Sequence, residues 1–135
     1  MNRYVIEMRS KMRFFHISDL HFGKLLYGYD LTEEHRNFIE QLGDYCDKYN
    51  PDAVLIAGDV YDRSVPSADA MTLLDELLNK LSGRRVFIIS GNHDNAKRLS
   101  FGKDFLKKHD IYISTVPQTG ENEKIEKVTF ADEYG

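Results

Sequence analysis

The chain has 135 residues, of which 41% are hydrophobic and 30% charged, a balance typical of one soluble globular domain. Its net charge of −4 argues against a generic basic nucleic-acid binder. The charge does not exclude an enzyme that acts on phosphates, because bound divalent metals add positive charge that the sequence count omits. No apolar run approaches the ~20 residues of a membrane span. The single cysteine, Cys46, excludes an internal disulfide and favours a reducing, cytoplasmic location.

Residues 1–11 have no clear hydrophobic period and no apolar core of a signal peptide, and we predict a loosely held extension there. Residues 12–135 are predicted to form one domain. Its first element is a buried strand at residues 13–18. A helix at Thr32–Tyr49 follows, with Thr32 as its N-cap, and Asn50-Pro51 ends it.

The rest of the chain alternates between strands and helices. The second buried strand is Ala53–Ala57, and a leucine-rich helix capped by Ser67 follows it. Four further elements are predicted: a buried strand at residues 85–90, a looser helical stretch at 99–108, a short strand at Ile111–Ser114 and a last strand at 125–130. This alternation predicts βαβ units and an α/β fold with a mostly parallel sheet.

Polar side chains follow each of the three buried strands. In a parallel sheet, the carboxyl ends of the strands meet at one edge, where ligands bind. The stretches SDLH, GDVYD and GNHD would bring seven residues to this edge: Asp19, His21, Asp59, Asp62, Asn92, His93 and Asp94. Each motif taken by itself is weak, since GD is common in turns. Their coincidence at three successive strand ends predicts a metal site.

The chemistry of these ligands narrows the choice of metal. Carboxylate, imidazole and amide groups without a thiolate suit Mn, Fe or Zn better than a structural cysteine–zinc site. Several such groups at one edge favour two metals bridged by one carboxylate. A metal pair of this kind can activate water and stabilise an in-line displacement at phosphorus.

The three motifs together resemble those of the calcineurin-like metallophosphoesterases. The stretches MRFFHISDLHFGK, AGDVYDRSVPS, ISGNHD and VTFADEYG resemble the DNA nucleases of this family, over residues 12–135. The resemblance implies the N-terminal half of a four-layer sandwich of sheets and helices. It also implies two divalent metal ions, Mn2+ being expected, and hydrolysis of phosphodiester bonds in DNA repair, recombination and replication. An SMC-type ATPase subunit is the implied partner, and homodimerisation is left open.

The resemblance also assigns roles by position. It gives four metal ligands, with Asp59 bridging both ions: Asp19, His21, Asp59 and Asn92. His93 would be the acid or transition-state stabiliser at the leaving oxygen. Asp62 would orient His93, so that Asp62→Asn would mimic the loss of His93 in milder form. Asp94 is predicted to order the loop.

The family pattern continues with a lone histidine and a G-H-x-H motif, and neither occurs in this chain. The remaining histidines are poor substitutes: His16 is predicted to pack within a strand, His35 lies in a helix, and His109 lies at a helix end. We therefore expect an N-terminal part of a longer nuclease, inactive by itself. Two other interpretations remain open, a phosphatase or phosphodiesterase acting on a non-DNA substrate and a non-catalytic scaffold.

Several residues near the motifs have both a functional and a structural interpretation. Four cations would either contact phosphates or lie on the solvated surface: Lys24, Arg63, Lys97 and Arg98. Three aromatic residues could stack on bases, although packing is the favoured interpretation for them: Phe22, Tyr27 and Tyr29.

Overall fold

The computed structural model describes residues 12–117, 127–129 and 131. Its strands are β1 (Phe14–Ile17), β2 (Leu25–Leu26), β3 (Tyr29–Asp30), β4 (Ala53–Ala57), β5 (Val86–Ile89) and β6 (Ile111–Ser114). Its helices are α1 (Thr32–Tyr49), α2 (Ala68–Lys80), α3 (Ala96–Leu99) and α4 (Lys103–Lys107). Strands β1, β4, β5 and β6 form a parallel four-stranded sheet in that order, and β2 pairs with β3 in an antiparallel hairpin. The predicted α/β fold is confirmed.

The boundaries of α1 show which local signals were informative. Its end is as predicted, because Asn50 takes the left-handed conformation and its N–H donates to the carbonyl of Cys46. The predicted N-cap was wrong. Thr32 is the first helical residue, the cap position is Leu31, and the carboxylate of Asp30 accepts from the Thr32 N–H at 2.7 Å. The turn of the β2–β3 hairpin places Asp30, rather than Thr32, before the free N–H groups of the helix.

Helix α2 begins as its sequence predicts. The hydroxyl of Ser67 accepts from the backbone N–H of Ala70, which satisfies one of the free donors of the first turn. Buried residues Leu73 and Leu77 then recur at helical spacing and join the hydrophobic core. Helix α2 packs against α1, so the two helices cover the same face of the sheet.

The sheet has one covered and one open face among the described residues. Each parallel crossover moves one strand further in the same direction, and right-handed crossovers then place every connecting helix on one face. Val54, Ile56 and Ile88 point to that face and are buried, whereas Ile89 points to the other face and is 54% exposed. Among the described residues, the face that carries Ile89 is therefore open to solvent.

The predicted burial of the first strand was wrong. Phe14 is 45% exposed and His16 is exposed, so His16 does not pack as predicted. The reason is position, since β1 is the edge strand of the described sheet and Phe14 and His16 alternate onto its open face. The alternation of apolar residues within the strand cannot reveal which strand lies at an edge.

The remaining elements follow the sequence in part. The predicted helical stretch 99–108 is divided, because Gly102 takes a positive φ of 74° between α3 and α4. The predicted extension at residues 1–11 lies outside the described residues. So does half of the strand predicted at 125–130, and its described residues, 127–129, are not in a strand. In the part of the chain that the structure describes, no helix has the length and apolarity to span a bilayer.

Candidate metal centre

The loops after β1 and β4 stay paired beyond the ends of their strands. The N–H of Asp19 donates to the carbonyl of Gly58 at 3.1 Å, and that of His21 donates to the carbonyl of Asp59 at 2.9 Å. The N–H of Phe22 continues the series by donating to Val60 at 2.9 Å. The two loops therefore cross the edge of the sheet together. Their polar side chains are brought to one place by backbone hydrogen bonds.

The backbone of these loops is held in an unfavourable conformation. Asp19, His21 and Asp59 have positive φ angles of 55°, 47° and 48°. This left-handed region is uncommon for residues other than glycine and is frequently found at functional sites. Three predicted metal ligands share this conformation. The backbone strain is therefore concentrated at the residues whose side chains would have to point towards a metal ion.

Gly91 allows the loop after β5 to approach Asp59. A Cβ atom at Gly91 would lie 2.1 Å from Asp59 Oδ1 and 2.3 Å from its backbone nitrogen, far inside any allowed contact. The close approach also lets the N–H of His93 donate to Asp59 Oδ1 at 3.0 Å. Only glycine at position 91 is compatible with this junction.

Asp94 fastens the same two loops together. Its carboxylate accepts three backbone N–H bonds, from Val60 at 3.1 Å, from Tyr61 at 2.9 Å and from Gly91 at 2.9 Å. The prediction that Asp94 orders the loop is confirmed by these contacts. Tyr61 is itself buried, and burial raises its pKa to about 12, so its phenol stays neutral beside the carboxylate.

The first group of candidate ligands surrounds the imidazole of His21. Its Nε2 lies 3.9 Å from Asp19 Oδ1 and 3.9 Å from Asp59 Oδ2. Ligand atoms at about 2.1 Å from one ion lie roughly 3 Å apart at right angles and about 4 Å apart when opposite. The observed separations fall inside that range, and one ligand atom from each residue lies within 4.8 Å of the others. These residues fit a divalent metal ion.

A second group joins His21 to Asp62 and His93, and its ligand atoms also lie within 4.8 Å of one another. Asp62 Oδ1 is 3.2 Å from His21 Nδ1, but the two atoms do not form a hydrogen bond. That buried nitrogen consequently has no hydrogen-bond partner among the described residues. Orphaned polar atoms of this kind are unfavourable unless a ligand satisfies them, which supports metal binding.

Asp62 contacts His93 differently from the way a carboxylate would orient an imidazole. The backbone carbonyl of Asp62, and not its side chain, lies 2.9 Å from His93 Nδ1. The rings of His93 and His21 meet edge to face, with centroids 5.1 Å apart. The carboxylate of Asp62 therefore lies beside the candidate ligand His21, while the backbone carbonyl of Asp62 contacts His93.

We expect Asp62→Asn to weaken metal binding while leaving His93 in place. Groups that orient a ligand typically contribute 10–100-fold to metal affinity, so a Mn2+ titration should show a fall of about tenfold or more. At saturating Mn2+, the rate of DNA cleavage by the variant should recover most of the wild-type rate. A rate that stays low with the site filled would contradict this assignment and return Asp62 to the role of orienting His93 through its carboxylate.

Asn92 is the fourth metal ligand predicted from the sequence. It lies in an exposed loop directly before His93, whose backbone is bonded to Asp59. Exposure also differs among the candidate ligands: the side chain of Asp19 is 64% exposed, and that of Asp59 is 13% exposed. Solvent can therefore reach the centre at Asp19, whereas Asp59 is largely shielded from solvent.

His35 supports the site in a way that the sequence did not indicate. Burial lowers the pKa of its imidazole, an effect partly offset by the backbone of Leu20, the residue between Asp19 and His21. Its ring also meets that of Phe22 edge to face, with centroids 5.1 Å apart. This contact ties α1 to the strained loop. A histidine in the first turn of a helix carries no signal of such a contact, because the contact depends on tertiary packing.

The structure shows which of the other residues singled out in the sequence are exposed and which are buried. All four cations are exposed, as both of their interpretations require: Lys24, Arg63, Lys97 and Arg98. Phe22 is 1% exposed and belongs to the core, as predicted. Tyr27 and Tyr29 are 95% and 77% exposed, so the predicted packing of these two rings was wrong.

Comparison with known proteins shows the family to which the chain belongs. Residues 12–133 match the model of the calcineurin-like phosphoesterase family, and the chain belongs to that family. It is also similar to the SbcD subunit of the nuclease SbcCD from Staphylococcus epidermidis (strain ATCC 12228 / FDA PCI 1200), with 37% identity over 107 residues. That match covers 77% of this chain and 29% of the relative, so the chain spans less than a third of the length of the curated protein it matches.

Proposed function

We propose that the chain is part of a DNA nuclease that uses two divalent metal ions, Mn2+ in the first instance, to hydrolyse phosphodiester bonds. The observation that carries this proposal is the convergence of Asp19, His21 and Asp59 on one point, with His93 beside them. Family membership supports phosphoester hydrolysis, and the name of the similar Staphylococcus protein, a nuclease, supports a nucleic acid as the substrate.

The residues of this chain would have distinct tasks. When bound, the two ions lower the pKa of water and stabilise the charge that develops on phosphate oxygens. Asp59, the least exposed carboxylate of the first group, would bridge the ions, and Asn92 would hold the second ion. Asp19 and His21 would hold the first ion. Ligands beyond these would come from the rest of the full-length protein.

His93 is proposed to donate a proton to the leaving oxygen. It is exposed, so a bound phosphodiester can reach its Nε2. Its Nδ1 is held 2.9 Å from the carbonyl of Asp62, which fixes the tautomer with the proton on Nδ1 when the ring is neutral. Protonation of Nε2 then gives an imidazolium whose positive charge also stabilises the departing oxyanion.

The nuclease activity predicts a clear ranking of substrates. The full-length protein with Mn2+ should cleave linear and hairpin duplex DNA, and chelation by EDTA should abolish cleavage. Under the same conditions the small chromogenic diester bis(4-nitrophenyl) phosphate should be hydrolysed with a far lower kcat/KM, because it lacks the contacts that a polynucleotide makes beyond the scissile phosphate. Hydrolysis of the small diester without cleavage of either DNA would support a phosphodiesterase with a non-DNA substrate.

The partner and location follow from the same proposal. The similar protein is named as one subunit of a complex, and we propose an SMC-type ATPase as the other subunit here, in DNA repair, recombination and replication. A cytoplasmic location accords with Cys46, which is buried and unpaired, and burial raises the pKa of its thiol.

A further inference from the structure

The hairpin that follows the first metal loop has an unusual turn. Tyr27 and Gly28 connect β2 to β3, and both have positive φ angles, 51° and 85°. Two residues of this kind make a turn of type I′, which favours Asn-Gly or Asp-Gly because those residues tolerate the left-handed conformation. A tyrosine in the first position is disfavoured by its side chain, so the needs of the turn do not account for Tyr27.

Packing does not account for this tyrosine either. Tyr27 is 95% exposed and Tyr29 is 77% exposed. Leu25 and Leu26, which form strand β2, are about half exposed, at 52% and 50%. Neither tyrosine ring meets another aromatic ring or a cation among the described residues. Exposed apolar groups gathered on one projection mark surfaces that bind something.

The hairpin is fixed beside the metal centre at both of its ends. At its start, the N–H of Lys24 donates to the carbonyl of the candidate ligand His21 at 3.0 Å. At its end, Asp30 accepts from the first residue of α1, Thr32. The tyrosines are therefore carried on a short, anchored projection from the loop that holds the first ion.

A cleft lies between the base of this hairpin and the loop that follows Asp62. It has a volume of about 480 Å³ and is lined by Leu25 and Arg63 together with two carboxylates, those of Asp30 and Asp69. Arg63 and Lys24 are exposed, and neither forms a salt bridge with a described residue. Cations beside a metal centre suit a phosphate backbone, and exposed aromatic rings beside cations are the usual surface for unpaired nucleobases.

We propose that Tyr27 and Tyr29 stack on bases of an unpaired DNA strand next to the phosphodiester held at the metal centre. This inference rests on the proposed nuclease function and narrows its substrate to single-stranded or frayed DNA at the site of cleavage. Stacking on an aromatic ring tolerates any base, so the hairpin would grip the strand without reading its sequence. The strained turn persists because it holds the ring of Tyr27 away from the protein, where a base can reach it.

The test separates binding from folding with one substitution. Tyr27→Asn removes the ring and supplies a residue that the left-handed position favours, so the melting temperature should stay unchanged or rise. Dissociation constants for a fluorescent single-stranded oligonucleotide, measured with Ca2+ in place of Mn2+ to limit cleavage, should rise roughly tenfold, which corresponds to the loss of one stacked base. Tyr27→Trp should bind at least as tightly as the wild type.

Tyr45→Ala is the matched control, because it removes an exposed tyrosine from α1, where it stacks on Tyr49. Its affinity for the oligonucleotide should equal that of the wild type. If the wild type cleaves DNA while Tyr27→Asn and Tyr29→Ala bind the oligonucleotide unchanged, the inference fails and the nuclease proposal stands. A wild type that neither binds nor cleaves DNA overturns both. Loss of a protein partner without loss of DNA affinity also overturns the inference.

Discussion

Replacing Asp59 with asparagine is expected to abolish DNA cleavage and to reduce the metal content of the full-length protein below two ions. Asp59 accepts from the N–H of His93 at 3.0 Å and lies 3.9 Å from His21 Nε2, so its carboxylate joins both groups of candidate ligands. An asparagine keeps an oxygen for the His93 N–H but loses the negative charge that a bridging ligand supplies. Groups that merely support a ligand contribute 10–100-fold, so the cost here should be at least about that. Metal content by mass spectrometry measures it.

Asp44→Asn serves as the control for this experiment, since it removes one negative charge from an exposed position on α1. It should retain both ions and full activity. The variant Asp59→Asn should also keep the melting temperature of the metal-free protein, because the backbone contacts of the loop are unchanged. Two fully occupied sites in Asp59→Asn would remove Asp59 from the centre.

The position of the site could be predicted from the sequence because it depends on a strong regularity. Strands Ala53–Ala57 and Ile111–Ser114 were predicted to the residue, since short apolar runs between turn signals define their own limits. Parallel strands must then present their carboxyl ends at one edge. The proximity of His21 and Asp59 follows from the predicted strands and their parallel arrangement, without knowledge of any side-chain contact.

The orientation of individual side chains could not be predicted in the same way. His16 was expected to pack, but its strand is an edge strand with an open face, and only the sheet order reveals this. Asp62 was expected to orient His93; its backbone carbonyl lies 2.9 Å from His93 Nδ1, and its carboxylate Oδ1 lies 3.2 Å from His21 Nδ1, so the sequence did not indicate which group of Asp62 meets which imidazole. Both outcomes depend on φ and ψ angles and on neighbours far away in the chain. Hydrophobic periodicity does not encode either.

The stretch LLYGYD shows a third limit. Packing was the favoured interpretation for Tyr27 and Tyr29, and no hairpin was predicted in this stretch, although the structure forms one there. The structure uses the turn to place both rings in solvent. Two-residue hairpin turns of this type favour Asn-Gly, and this chain has Tyr-Gly instead. Residues that break such a local rule are expected to coincide with functional positions.

Replacing His93 with alanine is expected to leave the metals bound and to lower the rate of cleavage by roughly 10²–10⁴-fold, the usual contribution of a general acid. The ring is exposed and its Nδ1 is engaged by the carbonyl of Asp62. The backbone N–H of residue 93, which donates to Asp59, survives the substitution.

The loss should therefore appear in kcat, with the Mn2+ dissociation constant changed little. His109→Ala is the matched control, because His109 is exposed at the end of α4 and its Nδ1 lies 3.2 Å from the carbonyl of Phe105. That variant should cleave DNA at the wild-type rate. A substrate with a better leaving group needs less help from an acid, so 4-nitrophenyl esters of a nucleotide should lose much less rate in His93→Ala than DNA does. If instead His93→Ala releases metal as readily as Asp59→Asn, then His93 is a ligand and the proton must come from another group.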